Sequence, residues 1–132
     1  MIRYNFKTKV YYKDVDQMGI VYYSRYFEYF EQARTEMFSS VGLNVTKVEE
    51  DGIHLPVISS HCDYKIGARF EDDLIIKTCV NEFPKSTLKI HYEVYSTDFK
   101  KLFALGYTIH AFLKSNGKPT RAPSYILSTL GM

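Results

Sequence analysis

The sequence is poor in several features that would assign a function class on their own. It has no tryptophan, only two cysteines and a formal net charge of +2. A charge this small argues against a nucleic-acid-binding surface spread over the protein, although a local basic patch could still bind phosphates. No run approaches the ~18 apolar residues of a membrane-spanning helix. Residues 1–6 alternate instead of forming the apolar core of a signal peptide. We therefore expect a cytoplasmic protein without a membrane span.

Cysteine, histidine and glycine patterns that support common chemistries are also missing. Cys62 and Cys79 lie in separate strand-like runs, where they are expected to be small buried thiols, and a metal site would need more ligands than these two. The four histidines show no metal-ligand spacing; they are His54, His61, His91 and His110. No GxSxG, P-loop or GxGxxG motif occurs, so serine hydrolases, nucleotide hydrolases and dinucleotide-dependent enzymes lack support. We expect neither a metal nor a bound cofactor.

The composition that is present is typical of one globular domain, which we expect to span residues 1–132. Hydrophobic residues make up 45% of the chain and charged residues 24%, and 132 residues suffice for a substantial core. Aromatic residues make up 16%, including 12 tyrosines. So many tyrosines fit strands and the wall of a pocket better than a disordered tail.

Hydrophobic periodicity predicts one strand, one helix and then four more strands. Residues 2–13 alternate between apolar and polar side chains until Asp14, which is typical of a half-buried strand. Four further strand-like runs follow a linker that contains the turn residues Asp51-Gly52; they cover residues 55–66, 73–83, 87–96 and 102–114. The tail, residues 120–132, shows no clear periodicity. This order of elements indicates an α+β fold.

The helix is predicted to begin at or near Ser24 and to end at about Gly42. Serine suits an N-cap, and glycine suits the position after the last turn. Glu31 and Arg34 lie three residues apart and are expected to form a partly buried ion pair. Apolar side chains form two stripes, so the helix must be buried on more than one side; they are Tyr26, Phe27, Tyr29, Phe30, Ala33, Met37, Phe38 and Val41.

The loop before this helix carries the residues best suited to chemistry. Asp16 precedes a helix start, where unpaired N–H groups and the helix dipole attract negative charge developing on a carbonyl. Asp16 therefore fits a nucleophile or a general base, and it equally fits an Asx-turn or helix cap. Asp14 is expected to bind loop amides and thus to be structural. Gly19 suits a backbone position with positive φ.

The run Asp16-x-x-Gly19-x-Val21-Tyr22-Tyr23-x-x-Tyr26 resembles the active-site loop of hotdog-fold acyl-CoA thioesterases, the 4-hydroxybenzoyl-CoA thioesterase and YbgC-like group. The resemblance implies a hotdog fold, in which a five-stranded antiparallel sheet wraps around one long central helix. It also implies a homodimer or tetramer (a dimer of dimers), with sheets paired edge to edge and active sites at that interface. Edge strands that need protection support the same expectation. Tyr23 stands where YbgC-like members have histidine and where the 4-hydroxybenzoyl-CoA branch has tyrosine.

Site roles follow from the same resemblance. Asp16 and the backbone N–H of Tyr23 are the implied catalytic groups, the amide polarising the thioester carbonyl. Gly19 is implied to permit close approach of the substrate. The remaining expected substrate contacts are the pocket residues Tyr22, Tyr26 and Glu31, and Lys85, Ser86 and Arg121, where basic residues grip the phosphates of CoA.

The resulting hypothesis is an acyl-CoA thioesterase that releases a carboxylic acid and CoA. CoA is part of the substrate and not a cofactor. Two alternatives stay open: a thioesterase that acts on acyl-carrier-protein esters, and a non-catalytic acyl-CoA-binding hotdog protein. Tyr22, Tyr26 and Phe30 permit aryl as well as aliphatic acyl groups, so the acyl group stays open too.

Overall fold

One antiparallel sheet packed against one long helix forms the body of the protein. A computed structural model describes all 132 residues. The strands are β1 (Arg3–Lys9), β2 (Ile53–His54), β3 (Val57–Tyr64), β4 (Asp73–Cys79), β5 (Thr87–Ser96), β6 (Leu102–Ala111) and β7 (Leu113–Lys114), and the helices are α1 (Arg25–Ser40), α2 (Val45–Glu50) and α3 (Ser124–Thr129). The large sheet has five strands in the order β1-β4-β5-β6-β3, and β2 pairs with β7. The predicted order of one strand, one helix and four strands is confirmed for α1 and the five strands of the large sheet, whereas the short strands β2 and β7 were not predicted.

Helix α1 is buried on two sides against this sheet, as its two apolar stripes predict. Its buried residues are Tyr26, Tyr29, Phe30, Ala33, Met37 and Phe38. The ring of Phe30 stacks on Tyr92 of β5, with 4.2 Å between the ring centroids. A Cβ at Gly106 of β6 would overlap the His61 carbonyl and lie 3.0 Å from the Phe30 ring. Glycine at this position therefore lets the helix approach the sheet closely.

The first strand is shorter than predicted. It ends at Lys9 instead of residue 13, and a 3-10 turn covers Tyr12–Asp14. The Asp14 carboxylate accepts a hydrogen bond from the Tyr11 N–H at 2.9 Å, which curls the chain away from the sheet. Tyr12, which the alternating pattern would place with the apolar face of a longer strand, is consequently 78% exposed.

The predicted glycine at the C-terminal end of α1 is confirmed, whereas the predicted serine cap at its N-terminal end makes no capping bond. The helix follows Ser24 directly, but the Ser24 side chain makes no capping bond because this residue is already in helical conformation, with φ −72° and ψ −19°. At the other end Gly42 has φ +79°. The Gly42 N–H donates to Ser39 and the Leu43 N–H to Phe38, which is a Schellman motif.

Two short helices were not predicted from the sequence. Helix α2 lies in the region read as a linker, and α3 lies in the tail read as irregular. Each has six residues and buries one apolar side chain, Val48 or Ile126, so neither shows an apolar stripe over several turns. None of the helices combines the length and the apolar character needed to cross a membrane.

Candidate active site

Asp16 lies in a tight loop whose two ends are joined by a bridge between Val15 and Val21. Its backbone N–H donates to the Ile20 carbonyl, and its own carbonyl accepts from the Gly19 N–H, both at 2.9 Å. Gly19 has φ +80°, a conformation that glycine adopts without strain. The loop therefore holds Asp16 in one place relative to the start of α1.

The two carboxylate oxygens of Asp16 have different surroundings. Oδ1 accepts the Met18 N–H at 2.8 Å and lies 3.5 Å from the Ile20 nitrogen, which forms an Asx-turn. Oδ2 accepts no hydrogen bond from the protein. The turn thus uses one oxygen and leaves the other for a substrate or a water molecule. The structural and the chemical interpretations of Asp16 are compatible.

The backbone N–H of Tyr23 is a second unused group. Neither Tyr23 nor Ser24 donates its N–H to another protein atom, whereas the Arg25 N–H donates to Tyr22 at 2.9 Å. These free amides lie at the N-terminal end of the 16-residue helix α1. The helix dipole reinforces the partial positive charge there.

Asp16 and Tyr23 line the same cavity, which has a volume of about 300 Å³. Tyr22 and Tyr26 also line it, and Tyr26 is almost completely buried. Burial raises the pKa of the Tyr26 hydroxyl to about 12, so this group stays protonated near neutral pH. Of the predicted site residues, the structure therefore brings together Asp16, Tyr22, Tyr23 and Tyr26, with Gly19 in the adjoining turn.

Asp14 supports this loop from beneath, as expected. Only 2% of Asp14 is exposed. Its carboxylate binds Lys13 at 3.0 Å, and its carbonyl accepts the Tyr22 N–H at 2.8 Å. Burial raises the pKa of the Asp14 carboxyl, but the hydrogen bond from Tyr11 and the charge of Lys13 outweigh it and hold the pKa below its usual range. Asp14 is therefore ionised near neutral pH, and its hydrogen bonds fix the turn.

The far wall of the cavity comes from residues that the sequence did not single out. Tyr64, Lys65 and Ile66, at the end of β3 and beyond it, line the cavity opposite the loop. The Tyr64 hydroxyl donates to the Tyr23 carbonyl at 3.2 Å and so ties the edge strand to the start of α1. The only sequence signal was the position of these residues at the end of a predicted strand.

The predicted phosphate-binding residues lie together at a different place. The Ala122 N–H donates to the Lys85 carbonyl at 2.7 Å, which sets Arg121 beside Lys85. Ser86 follows directly and accepts the Phe112 N–H at 3.2 Å. Lys85 and Arg121 are 36 residues apart in the sequence. Both are exposed, and neither has an acidic partner. Neither residue lines the Asp16 cavity.

Glu31 lines a separate groove of about 640 Å³ beside the second half of α1. Arg34, His54 and His110 line it as well. The predicted ion pair between Glu31 and Arg34 is wrong, since no carboxylate is paired with Arg34. Arg34 is half-buried and Glu31 exposed; burial dominates the pKa of both Tyr92 and His110, and the charge of Arg34 acts to lower both.

A buried chain of hydrogen bonds ends at this groove. The Tyr92 hydroxyl lies 2.7 Å from Thr108 Oγ1, which lies 2.9 Å from His110 Nε2. His110 Nδ1 lies 3.0 Å from the Leu55 carbonyl oxygen. Burial lowers the pKa of His110, and the nearby Arg34 charge lowers it further, so the ring is neutral at pH 7. His, Cys, Asp and Glu side chains form no group of three or more that could hold a metal ion.

Comparison with known proteins gives consistent matches over most of the chain. Residues 10–130 match the family model described as the thioesterase-like superfamily. The acyl-CoA thioesterase YbgC of Haemophilus influenzae is 35% identical over 86 residues, which are 64% of this chain and 63% of that protein.

Two solved structures are similar over nearly the whole chain. A hypothetical protein from Aquifex aeolicus has a TM-score of 0.89 at 29% identity, covering 96% of this chain and 98% of that one. The DHNA-CoA thioesterase from Staphylococcus aureus has a TM-score of 0.83 at 27% identity, covering 92% of this chain and 81% of that one. The predicted α+β hotdog fold is thereby confirmed.

Proposed function

Because this chain belongs to the thioesterase-like superfamily, we propose that it is an acyl-CoA thioesterase in which Asp16 and the Tyr23 N–H carry the chemistry. One observation supports this assignment above the others. Asp16, which has a carboxylate oxygen without a protein partner, and Tyr23, whose backbone N–H has no protein partner, line the same cavity at the start of a long helix. Hydrolysis of a thioester needs these two kinds of group.

Asp16 has two chemically sound routes. As a nucleophile, Oδ2 attacks the thioester carbonyl, the C–S bond breaks, CoA leaves as the thiolate, and water then hydrolyses the mixed anhydride. As a general base, Asp16 takes a proton from a water molecule that attacks the carbonyl directly; the C–S bond then breaks and CoA leaves as the thiolate. Both routes place negative charge on the carbonyl oxygen. The Tyr23 N–H, reinforced by the α1 dipole, stabilises that charge in either case.

The CoA portion is proposed to bind through Lys85, Ser86 and Arg121. Two exposed cations without acidic partners, on backbone segments joined by the Ala122 hydrogen bond, suit the phosphates of a nucleotide. Within the Asp16 cavity, the tyrosine rings of residues 22 and 26 are proposed to contact the acyl group, and Gly19 to let the substrate approach the loop.

A homodimer is the proposed assembly, joined along β3. This strand pairs with β6 on one side only, and seven of its eight residues are exposed. Two of its apolar side chains are exposed to solvent, Val57 to 44% and Ile58 to 57%. An open edge of this length invites pairing with a second copy. Sedimentation at micromolar concentration should show a dimer or a tetramer, and an active, stable monomer would contradict the proposal.

A release assay for free thiol tests the function directly. Purified protein would be supplied with aryl-, short-chain and long-chain acyl-CoA esters, and with the same acyl groups on acyl-carrier protein. We expect CoA release from at least one ester far above spontaneous hydrolysis. Faster release from the carrier protein would favour the carrier-protein alternative. Tight binding of acyl-CoA without release would identify a binding protein and overturn the proposal.

A further inference from the structure

The groove beside Arg34 has no role in the chemistry assigned to Asp16, although it is larger than the Asp16 cavity. Its volume is about 640 Å³ against about 300 Å³. Arg34 is half-buried and has no acidic partner. Two acidic residues line the groove as well: Glu49 lies 3.5 Å from His54, and Glu31 is exposed and makes no ion pair with Arg34. A partly desolvated guanidinium without a carboxylate is suited to binding an oxygen acceptor.

In the buried chain of Tyr92, Thr108 and His110, each hydrogen bond has only one possible donor. The Leu55 carbonyl can only accept, so Nδ1 of His110 must carry the proton, and neutral His110 therefore accepts at Nε2. Thr108 must donate to Nε2, and hence it accepts from the Tyr92 hydroxyl. The Tyr92 oxygen keeps free lone pairs, and the positive charge of Arg34 opposes the rise in the Tyr92 pKa that burial causes. His110, at the other end of the chain, lines the groove together with Arg34.

The position of this groove relative to β3 gives it a place in the active site. Residues 54–56, just before β3, line the groove, whereas residues 64–67, at the end of β3 and beyond it, line the Asp16 cavity. Both lie on the α1 side of the sheet, because α1 residues line both. Two β3 strands that pair antiparallel about a two-fold axis perpendicular to the sheet bring opposite strand ends together on the same face. The groove of one subunit then meets the Asp16 cavity of the other.

We propose that Arg34 is a specificity residue that binds an oxygen atom, from a carboxylate or a hydroxyl group, at the end of the acyl group remote from the thioester. The acyl group would extend from the Asp16 cavity of one subunit into the Arg34 groove of its partner. This inference rests on the proposed thioesterase function and on the β3 dimer, and it deepens that function by naming the substrate class.

The first experiment compares esters that differ only in the distal oxygen. Straight-chain acyl-CoA esters are paired with dicarboxylic mono-CoA esters of equal length over a series of increasing chain length. Phenylacetyl-CoA is paired with its para-hydroxy derivative. In at least one pair, wild type should prefer the oxygen-bearing ester in kcat/KM by about tenfold or more, the scale of one charge-assisted hydrogen bond. Arg34→Met should lose that preference while its kcat/KM for the plain ester stays within about threefold of wild type. Arg34→Lys should keep part of it.

Equal turnover of both members of every pair by wild type would overturn the inference. An equal loss on both members in Arg34→Met, with Arg34→Lys no better, would also overturn it, because that result indicates a purely structural role. In either case hydrolysis of the plain esters would leave the thioesterase function standing. The absence of hydrolysis of any ester would overturn the proposed function itself, and this inference with it.

A mixed dimer tests whether the groove serves the partner's site. One chain carries Asp16→Asn and the other carries Arg34→Met, with two affinity tags to purify the mixed species. If Arg34 acts across the interface, one of the two sites is intact, and the mixed dimer should show the wild-type preference for oxygen-bearing esters. If Arg34 acts within its own chain, the only active site lacks Arg34. Activity without that preference would therefore contradict the proposed arrangement.

Discussion

Thr108 is the middle of the buried chain, and replacing it by valine removes one oxygen while keeping the shape of the side chain. Only 3% of Thr108 is exposed, so water cannot take the place of the lost hydroxyl. The substitution leaves two buried groups without a partner, the Tyr92 hydroxyl and His110 Nε2. Each orphaned buried group costs about 1–3 kcal/mol, and the added methyl returns about 1 kcal/mol. The free energy of unfolding should therefore fall by about 1–5 kcal/mol.

Thr78 of β4 provides a matched control for this prediction. It is equally buried, at 2% exposure, but its hydroxyl donates only to the Ile76 carbonyl two residues earlier, at 3.3 Å. Ile76 is also paired on both sides in the sheet, with Phe6 of β1 and with Val94 of β5. Thr78→Val should consequently cost less than about 1 kcal/mol, since it orphans no group. Both variants would be measured by urea unfolding at constant pH. Equal losses in the two variants would refute the view that the Tyr92–Thr108–His110 chain is a connected, stabilising unit.

Three further predictions concern the site and its pH dependence. Tyr23→Phe keeps the backbone N–H and should lower kcat by less than tenfold, or about 1.4 kcal/mol; inactivity of the folded variant would show that the hydroxyl takes part. Lys85→Ala and Arg121→Ala should raise KM for CoA esters with little change in kcat, because phosphate contacts contribute uniform binding; unchanged KM in both would place the phosphate site elsewhere. The pKa of His110 is lowered by burial, so the unfolded chain takes up a proton that the folded chain does not. The free energy of unfolding should therefore decline as pH falls below ~6.5, and less steeply in His110→Gln, as urea unfolding over a pH series would show; equal slopes would contradict it.

The sequence predicts those parts of the fold that have a repeating local signal. Strand β5 has the predicted bounds, and its alternating apolar residues Leu88, Ile90, Tyr92 and Val94 are all buried. Short helices fail this test, because a six-residue segment such as α2 buries one apolar side chain and shows no period. The predicted end of β1 was wrong because the hydrogen bond from the Tyr11 N–H to the Asp14 carboxylate competes with the strand ladder.

In the candidate site, too, residues that are close together in the sequence could be predicted, and residues that meet only in the fold could not. The loop and the helix start are continuous in the sequence, so the meeting of Asp16 and Tyr23 in one cavity could be predicted. The Arg34 groove could not, because it is lined by residues of two helices and three strands that lie far apart in the sequence. One signal was available: Thr108 and His110 are polar residues two apart on a strand, and thus on the same face as buried Ala104. Polar residues on a buried face require partners, which points to a network.

The rate of Asp16→Asn measures the central claim most directly. Asparagine keeps the Oδ1 acceptor for the Met18 N–H, so the turn should persist while the carboxylate is lost. Asp98→Asn is the matched control, because Asp98 Oδ1 accepts the Lys100 N–H two residues on at 3.0 Å in a turn that does not line the Asp16 cavity. The assay uses an acyl-CoA ester that the wild-type protein hydrolyses. The kcat of Asp16→Asn should be lower than that of wild type by about a thousandfold or more, whereas the kcat of Asp98→Asn should equal that of wild type. A folded Asp16→Asn protein with kcat near that of wild type would contradict the proposed role of Asp16.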